Sequence, residues 1–193
     1  MSKNIEIEAK TLITKEEYET LIDSLGDFDF EIINQYNHYF CEEEYLNNPK
    51  KSSLAIRIRK ENEKIEATLK INLKEGKLEI NQDLSEEEYR KYLSSKKFPK
   101  GEVIDYLYEN HICKSSELKE FATLKNLRYE FKYKEALIAI DRSEYLNKID
   151  YEVECEASSM EIAESLLKEL LNIKKIPYRE NRISKLKRVK NAI

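Results

Sequence analysis

The chain opens on strict alternation, with Ile5, Ile7 and Ala9 on one side and Glu6, Glu8 and Lys10 on the other. A period of two is the mark of a strand with one apolar and one polar face. The same period returns further on. Leu54, Ile56 and Ile58 alternate with Arg57 and Arg59. Ile65, Ala67, Leu69, Ile71 and Leu73 alternate with Glu66, Thr68, Lys70 and Asn72. A tight turn around Glu75-Gly76 leads to Leu78 and Ile80 flanking Glu79. Leu127, Tyr129, Phe131 and Tyr133 oppose Arg128, Glu130 and Lys132; Tyr151, Val153, Cys155 and Ala157 oppose Asp150, Glu152, Glu154 and Glu156. A further strand is predicted in IAIDRSEY, which carries Asp141.

Helical signals lie between these strands. Thr14 with Glu17, Ser85 with Glu88 and Ser158 with Glu161 have capping-box spacing, and Gly26 is placed to end the first helix. In the third of these helices, over 158–172, Ile162, Leu166, Leu167, Leu170 and Leu171 form a helical apolar stripe. Two more helices are predicted at about 102–111 and near 184–191. Strands in hairpin order with few helices between them predict an antiparallel sheet and an α+β class.

Each strand thus has an apolar face for the helices and a second, charged face. One reading of that face is contact with solvent. The other is a sheet that curls so that charged side chains line an interior, which then needs a highly charged ligand in compensation.

Composition narrows the choice. The 193 residues suffice for one sizeable domain. The formal net charge of −4 disfavours general nucleic-acid binding. Cys41, Cys113 and Cys155 lack metal-ligand spacing, which suits a reducing, cytoplasmic setting, and none has a nucleophile's surroundings. Cys155 falls on the apolar face of its strand, and His38, with no second His at ligand spacing, reads as a packed or surface residue. No run approaches a membrane span of ~20 apolar residues, and no signal peptide is expected. The three glycines sit in no phosphate-cradling motif, so a phosphate ligand has to be held by Lys and Arg side chains.

The charged face holds acids as two ExE pairs, Glu6 with Glu8 and Glu152 with Glu154, each pair about 7 Å apart along its strand. Such pairs offer hard oxygen ligands for Mg²⁺ or Mn²⁺. Arg57, Arg59, Lys70 and Arg128 supply cations suited to phosphate oxygens. A carboxylate-held metal beside Lys and Arg describes a polyphosphate site.

In order along the chain, ExExK (Glu6, Glu8, Lys10), RxR (Arg57, Arg59), Lys70, Arg128, Asp141, the second ExE (Glu152, Glu154) and Lys185 resemble the CYTH domain, the triphosphate tunnel metalloenzyme family. The resemblance runs over nearly the whole chain and is greatest to small single-domain bacterial members. It implies a single domain over residues 1–193, an eight-stranded antiparallel β-barrel with a central tunnel, and divalent-metal-dependent chemistry on a triphosphate. By resemblance, Glu6, Glu8, Asp141, Glu152 and Glu154 bind Mg²⁺ or Mn²⁺ or orient water, with Glu6, Glu8, Lys10 and Glu152 as the catalytic set. Lys10, Arg57, Arg59, Lys70, Arg128 and Lys185 hold phosphate oxygens, and Glu79 sits where relatives often carry an acid. Arg142, beside Asp141, offers that carboxylate a structural partner instead. Where many relatives read YFDT, this chain has Tyr39-Phe40-Cys41-Glu42, a departure that Glu42 could fill.

The expected activity is hydrolysis of inorganic, nucleoside or thiamine triphosphate. An adenylyl cyclase making cyclic AMP from ATP is the alternative enzyme, and a non-catalytic polyphosphate or nucleotide binder the alternative outside catalysis. The expected partner is a triphosphate-bearing small molecule, with neither membrane nor nucleic acid involved; a homodimer stays open.

Overall fold

A computed structural model of the chain describes residues 7–72, 77–112 and 118–193. The expectations at Ile5, Glu6, Leu73, the Glu75-Gly76 turn and Cys113 lie outside the described residues. The strands are β1 (Glu8–Ile13), β2 (Phe30–Glu42), β3 (Ala55–Glu61), β4 (Lys64–Asn72), β5 (Lys77–Asp83), β6 (Leu118–Tyr133), β7 (Ala136–Tyr145) and β8 (Lys148–Glu156). The helices are α1 (Lys15–Asp23), α2 (Glu86–Ser95), α3 (Glu102–Glu109), α4 (Met160–Ile173) and α5 (Lys185–Ala192). The strands form one eight-stranded antiparallel sheet in the order β1-β8-β7-β6-β2-β3-β4-β5. The strand number and direction are those the resemblance implied; β1 and β5 are the edges of the sheet, with no ladder between them among the described residues.

The contacts divide the chain into two compact units. The first contains Gln35–Lys125 and Ser184–Ile193. Its core joins Ile56 and Ile58 of β3 and Ile65, Ala67 and Leu69 of β4 to Tyr89 and Tyr92 of α2 and Val103 and Leu107 of α3. The second holds residues 7–34 and Asn126–Ile183. There Ala9, Ile138, Ile140, Val153 and Cys155 pack under Tyr18 and Leu21 of α1 and Ala163, Leu167 and Leu171 of α4. In both units the alternation delivers one face of each strand to the helices. Burying a Leu or Ile there stabilises the fold by about 1.5–3 kcal/mol.

Turn geometry then sets which charged residues meet. Leu146 and Asn147 both have positive φ, 45° and 61°, and form a two-residue loop whose hand suits a tight hairpin. It pairs Tyr145 with Lys148 and, further along the ladder, Asp141 with Glu152. On the other side of β8, Lys10 pairs with Glu154.

Two local expectations need correction, and one strand carries no signal in the sequence. Gly26 does not end α1: the helix closes at Ser24, and Gly26 lies within a 3₁₀ turn, Leu25–Asp27. The cap of α4 is Ser159, whose hydroxyl accepts from the N–H of Ile162, not Ser158. Finally, β2 gave no alternating signal. From Asn37 to Glu42 it is buried on both faces, and polar Gln35, Asn37 and His38 occupy buried positions.

Candidate functional site

In the second unit, the β7–β8 ladder brings together Asp141, Glu152 and Glu154, whose carboxylate oxygens lie within 4.8 Å of one another. Asp141 is fully buried and Glu152 is 1% exposed. Like charges so close and so dry require compensation. Arg128 provides it from β6: Nε donates to Asp141 Oδ1 and Nη2 to Asp141 Oδ2, both at 2.8 Å, and Nη2 also donates to Glu154 Oε2 at 2.5 Å. Burial works against the guanidinium charge, but Asp141 and Glu154 outweigh it and hold the proton more tightly than usual.

Asparagines complete the lattice. Asn126 donates to Asp141 Oδ1 at 2.8 Å and accepts from the Ser143 hydroxyl at 2.9 Å. Asn181 donates to Glu152 Oε1 at 2.8 Å. Lys10 and Glu8, from β1, form an ion pair at 2.5 Å. The partner of Asp141 is therefore Arg128 and not its neighbour Arg142, which pairs with Glu144. Arg128 also meets two carboxylates assigned to metal, whereas the resemblance gave it phosphate.

In the first unit, the sequence-expected cations stand on β3, β4 and α5. Arg59 Nε donates to Asn37 Oδ1 at 2.9 Å, its opposite number in the β2–β3 ladder. Lys70 pairs with Glu79 at 2.9 Å. Burial would raise the Glu79 pKa, but the Lys70 ammonium, by hydrogen bond and charge, lowers it. The Nε of Arg57 is buried with no hydrogen-bond partner among the described residues. Lys185 is the first residue of α5 and half-buried.

The Cys41-Glu42 departure has a packing explanation. Glu42 is buried and accepts the Ser52 hydroxyl at 2.6 Å, while the Lys190 ammonium donates to the carbonyls of Ser52 and Leu54 at 2.9 and 3.2 Å. Burial pushes the Cys41 and Cys155 thiols up to about 11, away from nucleophilic use. His38 is a packed residue, between Tyr89 Oη at 3.0 Å and Glu120 at 3.4 Å.

Asn126 shares the Arg128 face of β6, so strand periodicity marks it as a candidate. Asn37 stands on β2, which has no alternating pattern to mark it. Asn181 belongs to no periodic element, so nothing in the local pattern marks it.

Three carboxylates at this spacing, Asp141 and Glu152 buried and Glu154 partly exposed, are hard donors of the kind that Mg²⁺ and Mn²⁺ take, so the residues fit a divalent cation. The unpartnered Arg57 Nε is a donor suited to an oxyanion. No helix among the described residues is long and apolar enough to cross a membrane.

Residues 4–189 match the CYTH domain family. A Bacillus subtilis (strain 168) protein provisionally named triphosphatase YjbK is 35% identical over 182 residues, covering 94% of this chain and 93% of that protein. The crystal structure of a Bacillus halodurans protein provisionally named an adenylate cyclase (bh2851) is 38% identical, with a TM-score of 0.76, over 97% of this chain and 98% of that one. The Hippeastrum protein HpAC1, provisionally an adenylyl cyclase but described as having a dominant triphosphatase activity, superposes with a TM-score of 0.81 at 23% identity, over 97% and 96% of the two chains.

Proposed function

Because the chain belongs to the CYTH domain family, we propose that its 193 residues act as one domain that hydrolyses a triphosphate, inorganic or organic, with a divalent metal ion. The observation that carries this reading is the triad Asp141, Glu152 and Glu154, with oxygens within 4.8 Å. Together with Glu6 and Glu8 these residues would hold Mg²⁺ or Mn²⁺. The bound ion would supply charge neutralisation and lower the pKa of an attacking water.

The chain's own residues do the rest. Arg57, Arg59, Lys70, Lys10 and Lys185 bind phosphate oxygens; the Arg57 Nε is a donor already desolvated for one. Arg128, gripped at both Asp141 oxygens, keeps a fixed orientation. Phosphoryl transfer is catalysed mainly by such positioning and by charge stabilisation, so a preset array of donors is apt.

The name given to the 38% identical Bacillus halodurans protein supports a second reading, cyclisation of ATP. One experiment separates the two. Purified protein is incubated with tripolyphosphate, nucleoside triphosphates and thiamine triphosphate, each with Mg²⁺ or Mn²⁺. Phosphate release is expected, and it should vanish with chelator and in Glu152→Gln. Cyclic AMP without phosphate release would establish the cyclase. Binding without turnover under any metal would establish a sensor and overturn both enzyme readings.

A further inference from the structure

Beyond α4 the chain runs back along β1. Glu180 bridges Thr11. The buried Thr11 hydroxyl donates to the Arg179 carbonyl at 2.8 Å and accepts the Arg179 N–H at 3.0 Å. One residue past the bridge, the Asn181 N–H donates to the Lys10 carbonyl at 3.0 Å. The segment is therefore held through its own backbone groups on either side of Glu180, by the Thr11 hydroxyl at Arg179 and the Lys10 carbonyl at Asn181, whatever side chain stands at 181.

The Asn181 side chain has one orientation available. Its Oδ1 accepts the Ile183 N–H at 3.0 Å, and its Nδ2 donates to Glu152 Oε1 at 2.8 Å and to the Ile183 carbonyl at 3.3 Å. Flipping the amide would turn an oxygen toward the Glu152 carboxylate and leave the Ile183 N–H facing a donor. Backbone geometry thus decides that an N–H, never an oxygen, meets Glu152.

We infer that Asn181 is a positioning residue that sets the Glu152 carboxylate for a divalent cation. The inference rests on the metal reading of the Asp141–Glu152–Glu154 triad proposed above. The chemistry favours an amide here. A Lys or Arg would also hold Glu152, but it would bring a positive charge against the cation. The neutral amide fixes one carboxylate oxygen and leaves the negative charge of the triad intact. Donors of this type behind metal-binding carboxylates are commonly worth about 10–100-fold in metal affinity. The same residue holds β1 at Lys10 through its backbone, so two strands that carry site residues share one anchor.

The test is Mn²⁺ titration, by calorimetry and by the loss of the free-ion electron paramagnetic resonance signal, on the full chain. Asn181→Ala and the volume-conserving Asn181→Leu should each weaken Mn²⁺ binding by about 10–100-fold. Tripolyphosphate affinity in chelator and the melting temperature in chelator should stay near the wild-type values. In a Glu152→Gln background, Asn181→Ala should add no more than about twofold, because its effect passes through that carboxylate. Wild-type Mn²⁺ affinity in both Asn181 variants overturns the inference and leaves the triad reading standing. So does an equal loss of Mn²⁺ and metal-free tripolyphosphate binding with a lowered melting temperature, or an undiminished effect of Asn181→Ala in the Glu152→Gln background. A wild-type protein that binds no Mn²⁺ overturns the metal reading, and this inference with it.

Discussion

The two units treat buried charge differently. In the second, the acids are met in place: Arg128 spans Asp141 and Glu154, Asn126 supports Asp141, and Asn181 holds Glu152. In the first, the expected phosphate-binding cations include Arg57, whose Nε is dry and has no hydrogen-bond partner among the described residues. A desolvated donor without an acceptor costs about 1–3 kcal/mol. One unit's acids are therefore matched by partners within the unit, while the other keeps a donor at some cost to stability, as expected of a residue kept for a ligand.

The largest expected effect comes from breaking the compensated side. Asp141→Ala removes the two carboxylate oxygens that accept from Arg128 Nε and Nη2 and should cost about 3–5 kcal/mol of unfolding free energy, measured by urea titration. A loss below about 1 kcal/mol would mean that the acids and Arg128 do not support each other.

The first unit also has a compensated carboxylate, Glu120. Burial alone would raise the Glu120 carboxyl, but hydrogen bonds from His38 and Tyr92 outweigh it and hold it down, from 4.5 to about 2. A carboxyl depressed by folding stabilises fully above its unfolded value, and that stabilisation fades as pH falls from 4.5 toward about 2. Glu120→Gln should therefore cost on the order of 2–3 kcal/mol at neutral pH and give a flatter acid limb over that window. Urea titrations across the window check it; an unchanged acid limb would rule the cluster out.

Arg57→Met is the counterpart on the uncompensated side. Unfolding free energy should change by less than about 1 kcal/mol, while tripolyphosphate binding weakens by about 10–100-fold, or 1.4–2.7 kcal/mol. If stability falls as far as in Asp141→Ala, the contrast between the units collapses. The smallest effect concerns the hairpin that aligns the acids. Leu146 is 43% exposed and adopts φ 45°, a region that suits Asn far better than Leu. Leu146→Asn should raise the unfolding free energy by about 0.5–1 kcal/mol with Mn²⁺ affinity unchanged.

The legibility of this molecule in its sequence follows from how each residue is placed. At Ile56/Arg57/Ile58 and Val153/Glu154/Cys155 alternation assigns the faces correctly, since the apolar residues there are buried against the helices and the charged ones between them are not fully buried. It fails on β2, where polar Gln35, Asn37 and His38 are buried and find partners in tertiary structure. The acids of the triad could be read from ExE spacing and family order. That Arg128 would grip Asp141 and Glu154 could not, because opposite charges on separate strands reveal nothing of which pairs form. Asn181 is the extreme case: its role depends on where the chain returns after α4, which no local period encodes.

The Leu146-Asn147 loop also determines where this chain can change length. Side chains on β8 alternate between core and triad, so one residue inserted between Tyr145 and Lys148 and absorbed by the ladder would exchange the faces. Val153 and Cys155 would then replace Glu152 and Glu154 on the polar side, and two carboxylates would enter the core. Insertions here should be tolerated only in pairs or as a bulge outside the ladder, which makes this short turn one of the least permissive sites for grafting a loop or a tag.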